Sequence, residues 1–208
     1  MSLNLNMLPE TGLFIFLYIC GSINFSIIYA KKIMKMEIRQ TGSNNAGATN
    51  LMRLAGVKSG VMILIADILR AYLLMTLLKF LSLDELWPIG GLFIITGNIY
   101  PVFHSFKGGK GVANTIGIFL AIFPITLSIG LIIFLAAVLI TRRVSMGSLT
   151  LVISVFIIET AHFFNLLHLN QNINLKTVAT AAIIMIMVIW SHRNNIERLI
   201  KGKEPATF

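Results

Sequence analysis

Val112-Ala113-Asn114-Thr115-Ile116-Gly117-Ile118-Phe119-Leu120-Ala121-Ile122-Phe123-Pro124-Ile125-Thr126, continuing without a charge to Ile140, decides how this chain folds. The run is apolar and too long for one membrane helix. At about 1.5 Å of rise per residue it would far exceed a hydrocarbon core of roughly 30 Å. Pro124 stands near its middle, lacking the amide that a continuing helix needs, so the run reads as two short helices turning near Phe123 to Ile125. On either side lie further apolar runs, Leu13 to Ala30, Gly60 to Phe80, Trp87 to Phe103, Gly147 to Leu167 and Val178 to Trp190. The expectation is an all-α polytopic membrane protein with seven transmembrane helices.

Composition leads to the same class. Of 208 residues, 56% are hydrophobic and only 12% charged, and the mean hydropathy is +0.85, outside the soluble globular range. No length remains for a soluble domain, so residues 1–208 read as a single integral membrane domain. The lone Cys20 sits in an apolar run, where it can form no intramolecular disulfide and redox chemistry is disfavoured. Residues 1–10 carry no Lys or Arg, so the basic start of a cleavable signal is missing and Leu13 to Ala30 reads as a retained span.

The basic residues set the orientation. Lys31, Lys32, Lys35, Arg39, Arg53 and Lys58 follow the first span, Lys107 and Lys110 the third, Arg142 and Arg143 the fifth, and Arg193, Arg198, Lys201 and Lys203 the seventh. Only Lys79 and Lys176 lie towards the other side. The positive-inside rule then places the N-terminus outside, and the C-terminus and the polar loops in the cytoplasm. Orientation and attraction to anionic lipid headgroups account for the net charge of +9 without any nucleic acid.

Three polar segments stand out. The loop Arg39-Gln40-Thr41-Gly42-Ser43-Asn44-Asn45-Ala46-Gly47-Ala48-Thr49-Asn50-Leu51-Met52-Arg53 is long for a connection and dense in hydroxyls and amides, which favours a site over a solvated loop. Glycines let backbone amides turn towards an anion, and Arg53 offers a planar fork to phosphate. Second, Ser105-Phe106-Lys107-Gly108-Gly109-Lys110-Gly111 brackets a glycine pair with lysines directly before an apolar helix, whose first amides lack intrahelical partners. A phosphate cradle and a flexible basic turn are equally compatible with it. It is not a Walker A loop, because Lys110 is followed by Gly111 rather than Ser or Thr. Third, Ser191 to Glu204 reads mostly as an interfacial helix with Ile196, Leu199 and Ile200 as its apolar stripe, while His192 and Asn195 share one face.

Inside the spans, Asp67 and Arg70 have the spacing of an ion pair and are read as packing. Glu159 and His162 repeat that spacing and are read as a snorkelling or buried structural pair. His104 is open between loop solvation and substrate contact. The four histidines are scattered and lack metal-ligand spacing, so neither a metal nor another cofactor is expected.

Taken together, Gly-Ser-Asn-Asn-Ala-Gly-Ala-Thr-Asn with Arg53, then Phe-Lys-Gly-Gly-Lys-Gly-Val-Ala, then His-Arg-Asn-Asn-Ile-Glu-Arg-Leu with Gly202 and Glu204, resembles the bacterial membrane-bound acyl-phosphate:glycerol-3-phosphate acyltransferases, the PlsY family. The resemblance spans essentially the whole chain. It implies seven spans, N-terminus out, and transfer of a fatty acyl group from acyl phosphate to the 1-hydroxyl of glycerol 3-phosphate, releasing lysophosphatidic acid and phosphate. It also implies the bacterial inner membrane, a site facing the cytoplasm, an acyl-phosphate-producing enzyme upstream and a lysophosphatidate acyltransferase downstream.

Carried over by motif, Ser43, Arg53, Lys110 and Asn195 are the expected catalytic residues. Ser43 would orient the nucleophile or phosphate, Arg53 and Lys110 would neutralise charge, and Asn195 would position substrate. Asn45, Thr49, Asn50 and Asn98 are expected substrate contacts, with Lys107, Gly108, Gly109 and Gly111 of the Gly-Lys loop. Ser145 joins them through a family-like Thr-Arg-x-Val-Ser stretch, and His192 through the terminal motif. Glu204 is expected to support the fold. Two departures are visible: Asn98 stands where the family usually has His, and Ala46 where it usually has Pro. Asn98 cannot accept a proton, which leaves a substrate phosphate dianion or His104 as the base. Two other readings remain open, a transporter or channel for a small phosphate ester and a non-catalytic partner in lipid synthesis.

Overall fold

The computed structural model describes residues 7–169, 171 and 173–206; residues 1–6, part of the segment read above as free of Lys and Arg, lie outside the described residues. Helices make up its regular structure, and no strand occurs among the described residues. In chain order they are α1 (Met7–Gly21), α2 (Phe25–Tyr29, continued by a π-helical turn Ala30–Met34), α3 (Ala48–Ala55), α4 (Val57–Phe80), α5 (Trp87–Ile99), α6 (Val112–Ile122), α7 (Pro124–Thr141), α8 (Val144–Phe163), α9 (Leu175–Ser191) and α10 (Arg193–Ile200).

The proline break falls where the sequence predicts it. α6 ends at Ile122, Phe123 is the shared cap, and Pro124 opens α7 at the position where its missing amide is harmless. A second break is new. The run Leu13 to Ala30 is not one helix, because α1 stops at Gly21 and the following helix leaves at 43°. Ser22 Oγ donates to the Tyr18 carbonyl and Asn24 Oδ1 accepts the Ile27 amide, so short polar side chains cap and redirect the backbone. The Trp87 to Phe103 run also shortens, with α5 closing at Ile99 ahead of Pro101. The first polar segment is helical in its second half, which puts Thr49, Asn50 and Arg53 on α3.

By length and hydropathy α4, α7 and α8 suffice to cross a membrane, and the bent pairs α1–α2 and α9–α10 raise the number to five. α6, at 11 residues, is too short to cross alone. Length alone therefore does not give the seven crossings of the sequence reading, although each apolar run is helical over most of its length.

Packing joins these helices through small residues, as expected where no solvent drives apolar association. A Cβ on Gly97 would lie 2.3 Å from the Tyr18 carbonyl oxygen, and one on Gly117 the same distance from that of Ile68, so α1 and α5, and α4 and α6, touch backbone to backbone. The main core gathers Leu17, Met75, Leu78, Ile94, Ile95, Ile118, Phe119, Leu127, Leu151 and Ile184. A smaller cluster of Ile27, Ala30, Ile38, Ala46, Leu51 and Ile63 forms a floor under the first polar loop.

The two intrahelical charge spacings resolve differently. Asp67 and Arg70 pair at 3.1 Å, and Arg70 also binds the Ile23 carbonyl and Asn114 Oδ1, so the expected packing role stands. The Glu159–His162 pair does not form as expected. His162 instead contacts the Leu167 and Gln171 carbonyls, at 2.7 and 2.9 Å, because the chain past α8 folds back over its ring. Glu159 is fully buried rather than snorkelling, with no hydrogen-bond partner for either oxygen among the described residues.

Candidate active site

Three segments far apart in sequence meet at one end of the helices. The Lys110 ammonium donates to Asn195 Oδ1, and the Asn195 amide donates to Glu204 Oε1 at 2.6 Å. The same carboxylate oxygen accepts from Ser145 Oγ at 2.8 Å, while Oε2 accepts from Arg198 Nε at 2.6 Å. Arg143 Nε donates to the Glu204 carbonyl, and Ser191 Oγ to the Lys110 carbonyl. Every oxygen of a buried carboxylate is thereby occupied, as such burial requires. Four of the residues expected from sequence, Lys110, Ser145, Asn195 and Glu204, thus share one network.

Burial pushes the Lys110 ammonium down to about 8, opposed by Glu204 and assisted by Arg198 and Arg53. A desolvated cation flanked by further cations is poised to take up an anion. His192 is 2% exposed and its Nδ1 lies 2.8 Å from the Val188 carbonyl. Burial and the charge of Lys110 hold its pKa near 3, so the ring is neutral across the working range. With Nδ1 donating to the carbonyl, Nε2 is left as an acceptor. Burial raises the Glu204 carboxyl, but its hydrogen bonds from Asn195, Arg198 and Ser145 outweigh this and hold it below the usual range.

The Gly-Lys loop is shaped by Asn98. Its Oδ1 accepts the Gly111 amide at 3.1 Å, and its carbonyl accepts the Gly109 amide at 3.0 Å. Gly111 sits at φ +83, a left-handed conformation that suits glycine, and caps α6. A Cβ on Gly109 would stand 3.0 Å from Asn98 Oδ1 and 3.3 Å from the Ala46 carbonyl, and one on Gly108 would strike the Asn98 carbonyl. Asn98 therefore holds the loop, a role that needs an acceptor and no proton transfer.

Ala46 brings in the first polar segment, and Asn24 Nδ2 binds its carbonyl at 3.1 Å. Asn50 is buried at the centre of that segment, where Nδ2 donates to the Ile38, Thr41 and Asn45 carbonyls and Oδ1 accepts the Ser43 amide. Its polar atoms are committed to the backbone, so it fixes the loop rather than offering a free amide to a ligand. Asn45 has its carbonyl in the same knot, and Ser43 and Thr49 are half-buried along the loop and the first turn of α3. Arg53 is exposed on α3, close enough for its charge to act on Lys110. Lys107 is exposed, with its carbonyl held by Arg39.

Sequence reasoning treated Arg39 only as an orienting charge. In the structure its Nη1 donates to the His104 carbonyl at 2.8 Å and the Lys107 carbonyl at 3.2 Å, with Glu37 holding Nε and Nη2. The hydrogen bond and charge of Arg39 keep Glu37 at about 2, so the clamp stays charged at any working pH. The sole local signal is an acid two residues before an arginine; the partners lie more than sixty residues away. Arg143 and Ser191 escaped for the same reason, their partners Glu204 and Lys110 lying 61 and 81 positions away.

A membrane protein whose apolar helices carry a buried cluster of cationic, amide and carboxylate groups at one end is the class that these features define. Comparison with known proteins narrows it. The family model for glycerol-3-phosphate acyltransferase matches residues 11–202. A glycerol-3-phosphate acyltransferase of Halalkalibacterium halodurans is 37% identical over 190 residues, 90% of each chain. Glycerol-3-phosphate acyltransferase 2 of Bacillus anthracis is 38% identical over 187 residues, covering 90% of this chain and 93% of the relative. The crystal structure of PlsY (YgiH), an integral membrane glycerol 3-phosphate acyltransferase, in its glycerol 3-phosphate form superposes with a TM-score of 0.85 at 33% identity over 95% of both chains. Its lysophosphatidic acid form gives 0.82. The chain belongs to the glycerol-3-phosphate acyltransferase family.

Proposed function

We propose that this protein transfers a fatty acyl group from acyl phosphate to the 1-hydroxyl of glycerol 3-phosphate, giving lysophosphatidic acid and inorganic phosphate. The observation that carries this reading is the Lys110–Asn195–Glu204 network, a desolvated ammonium held by an amide beside further cationic groups. Both reactants are anions that repel each other, and a site of this charge lets them approach. Holding them in register contributes roughly 7 to 11 kcal/mol towards the barrier in the best cases.

In the reaction the oxygen at C1 of glycerol 3-phosphate attacks the acyl carbonyl carbon, the carbonyl-to-phosphate oxygen bond breaks, and the hydroxyl proton leaves on the departing phosphate. No protein base is needed, which fits an asparagine at position 98. Lys110 and Arg53 neutralise phosphate charge as it develops on the leaving group. Ser43 orients the phosphate or the nucleophile, and Asn195 holds Lys110 and positions substrate. Neutral His192 accepts from a glycerol hydroxyl at Nε2, and Gly108, Gly109 and Gly111 present backbone to a phosphate. Lys107 supplies charge at the rim.

The same reading places seven crossings in a bacterial inner membrane, N-terminus outside and the site facing the cytoplasm. The short α5 and α6 then cross with help from their flanking segments. An enzyme that makes acyl phosphate precedes it, and an acyltransferase that acylates lysophosphatidate follows. The test is stoichiometry with purified protein. One phosphate and one lysophosphatidate formed per acyl phosphate consumed support it; phosphate release without lysophosphatidate contradicts it.

A further inference from the structure

The segment between α5 and the Gly-Lys loop has two features that the transfer chemistry does not use. It exposes a run of large apolar side chains, with Tyr100 41%, Val102 42%, Phe103 58% and Phe106 57% accessible. It also holds two successive non-glycine residues in the left-handed region, Ser105 at φ 54 and Phe106 at φ 56. A bulky residue there is a genuine outlier and costs of order 1 to 3 kcal/mol, a cost that persists only where the surroundings impose it.

Here the surroundings are Arg39 and Pro101. The Arg39 guanidinium binds the carbonyls on both sides of the strained pair, those of His104 and Lys107. The Pro101 carbonyl accepts the amides of His104 and Phe106. Glu37 fixes the guanidinium in turn, with both its oxygens at 2.8 Å. The result is a rigid tongue that presents Phe103 and Phe106 outward and leads directly into Lys107 and Lys110.

We infer that this tongue is a recruitment surface for the acyl donor, taking the hydrocarbon tail of an anionic amphiphile on Val102, Phe103 and Phe106 and passing its phosphate to the lysines. The inference rests on the function proposed above. Charge complementarity selects the occupant: exposed Lys107 ends the tongue, and at its base the two cations Lys31 and Arg39 share the single carboxylate Glu37, which leaves an excess of positive charge. A neutral lipid would gain nothing from that end. An aromatic belt would also expose rings at a membrane surface, but it would not discriminate between donors by tail length.

Phe106→Gly separates the two. Glycine relieves the strain at φ 56 while removing the ring, which offsets the entropy that it adds to the unfolded chain, and the melt reads the balance. The measurement is the KM for palmitoyl phosphate and for butyryl phosphate, with glycerol 3-phosphate saturating, beside a thermal melt. The expected result is a KM for palmitoyl phosphate raised about tenfold with a much smaller change for butyryl phosphate, so that their ratio collapses. Phe103→Ser acts in the same direction, and Phe106→Tyr restores the ratio. Equal shifts for both donors, or none for palmitoyl phosphate, overturn the inference. Wild-type protein that acylates glycerol 3-phosphate with neither donor removes the parent reading instead, before any variant is compared.

Discussion

Lys110 and Asn195, separated by 85 positions in the chain, are joined by a hydrogen bond from the ammonium to the carboxamide oxygen, and the other end of that amide is anchored to Glu204. Asn195 is thus the link between the Lys110 ammonium and the carboxylate that ties down the C-terminal segment.

Replacing Asn195 with Ala cuts that link. It frees Lys110 from its anchor and leaves a buried Glu204 oxygen one donor short, a loss of about 1 to 3 kcal/mol in stability. Displacing a group that stabilises developing charge lowers kcat by about 100-fold or more. Initial rates and a melting curve in detergent check both numbers.

Glu204→Gln tests the other end. The carboxyl is depressed in the folded state, so its contribution to stability is complete above the unfolded pKa and disappears as pH falls through the folded one. The wild type therefore loses stability on acidification through the carboxylate range. The variant is less stable at neutral pH by about 1 to 3 kcal/mol and shows a shallower loss. Melts between neutral and acidic pH give the comparison.

The pH profile of activity follows from Lys110. Its pKa in the substrate-free protein is about 8, so kcat/KM falls as pH rises through that value and the charge is lost. Bound phosphate favours the ammonium, so the corresponding limb of kcat lies at higher pH. Lys110→Arg removes the inflection, since guanidinium keeps its proton. No limb from His192 appears near neutrality, because the ring stays unprotonated down to about 3.

Asn98 is predicted to matter as an acceptor only. Asn98→Ala leaves the Gly111 amide unpaired and loosens the cradle, lowering kcat/KM by about tenfold. Asn98→His retains a ring nitrogen that can accept and keeps most of the activity. Steady-state kinetics of the two variants check this.

What the sequence made legible and what it hid follow from the range of each signal. Pro124 acts on its own backbone, and the break at Phe123 was readable from it. Apolar runs and the three polar segments are likewise local patterns. The bend after Gly21 was hidden because Ser22 and Asn24 interrupt a hydrophobic run by side-chain hydrogen bonds, a weaker cue than proline. Asn50 looked like a ligand and proved to be the knot of its loop, because an amide in a polar segment does not announce which way it points. Arg39 could not be placed at all without the fold, since both of its carbonyl partners come from the Gly-Lys side.

The most direct measurement is formation of labelled lysophosphatidate from acyl phosphate and labelled glycerol 3-phosphate by purified protein in lipid, wild type beside Lys110→Ala. Product from the wild type that falls to background in a variant with the same melting temperature is the predicted result. No product from folded wild-type protein, or equal product from the variant, would contradict the assignment of Lys110 and its network as the centre of the reaction.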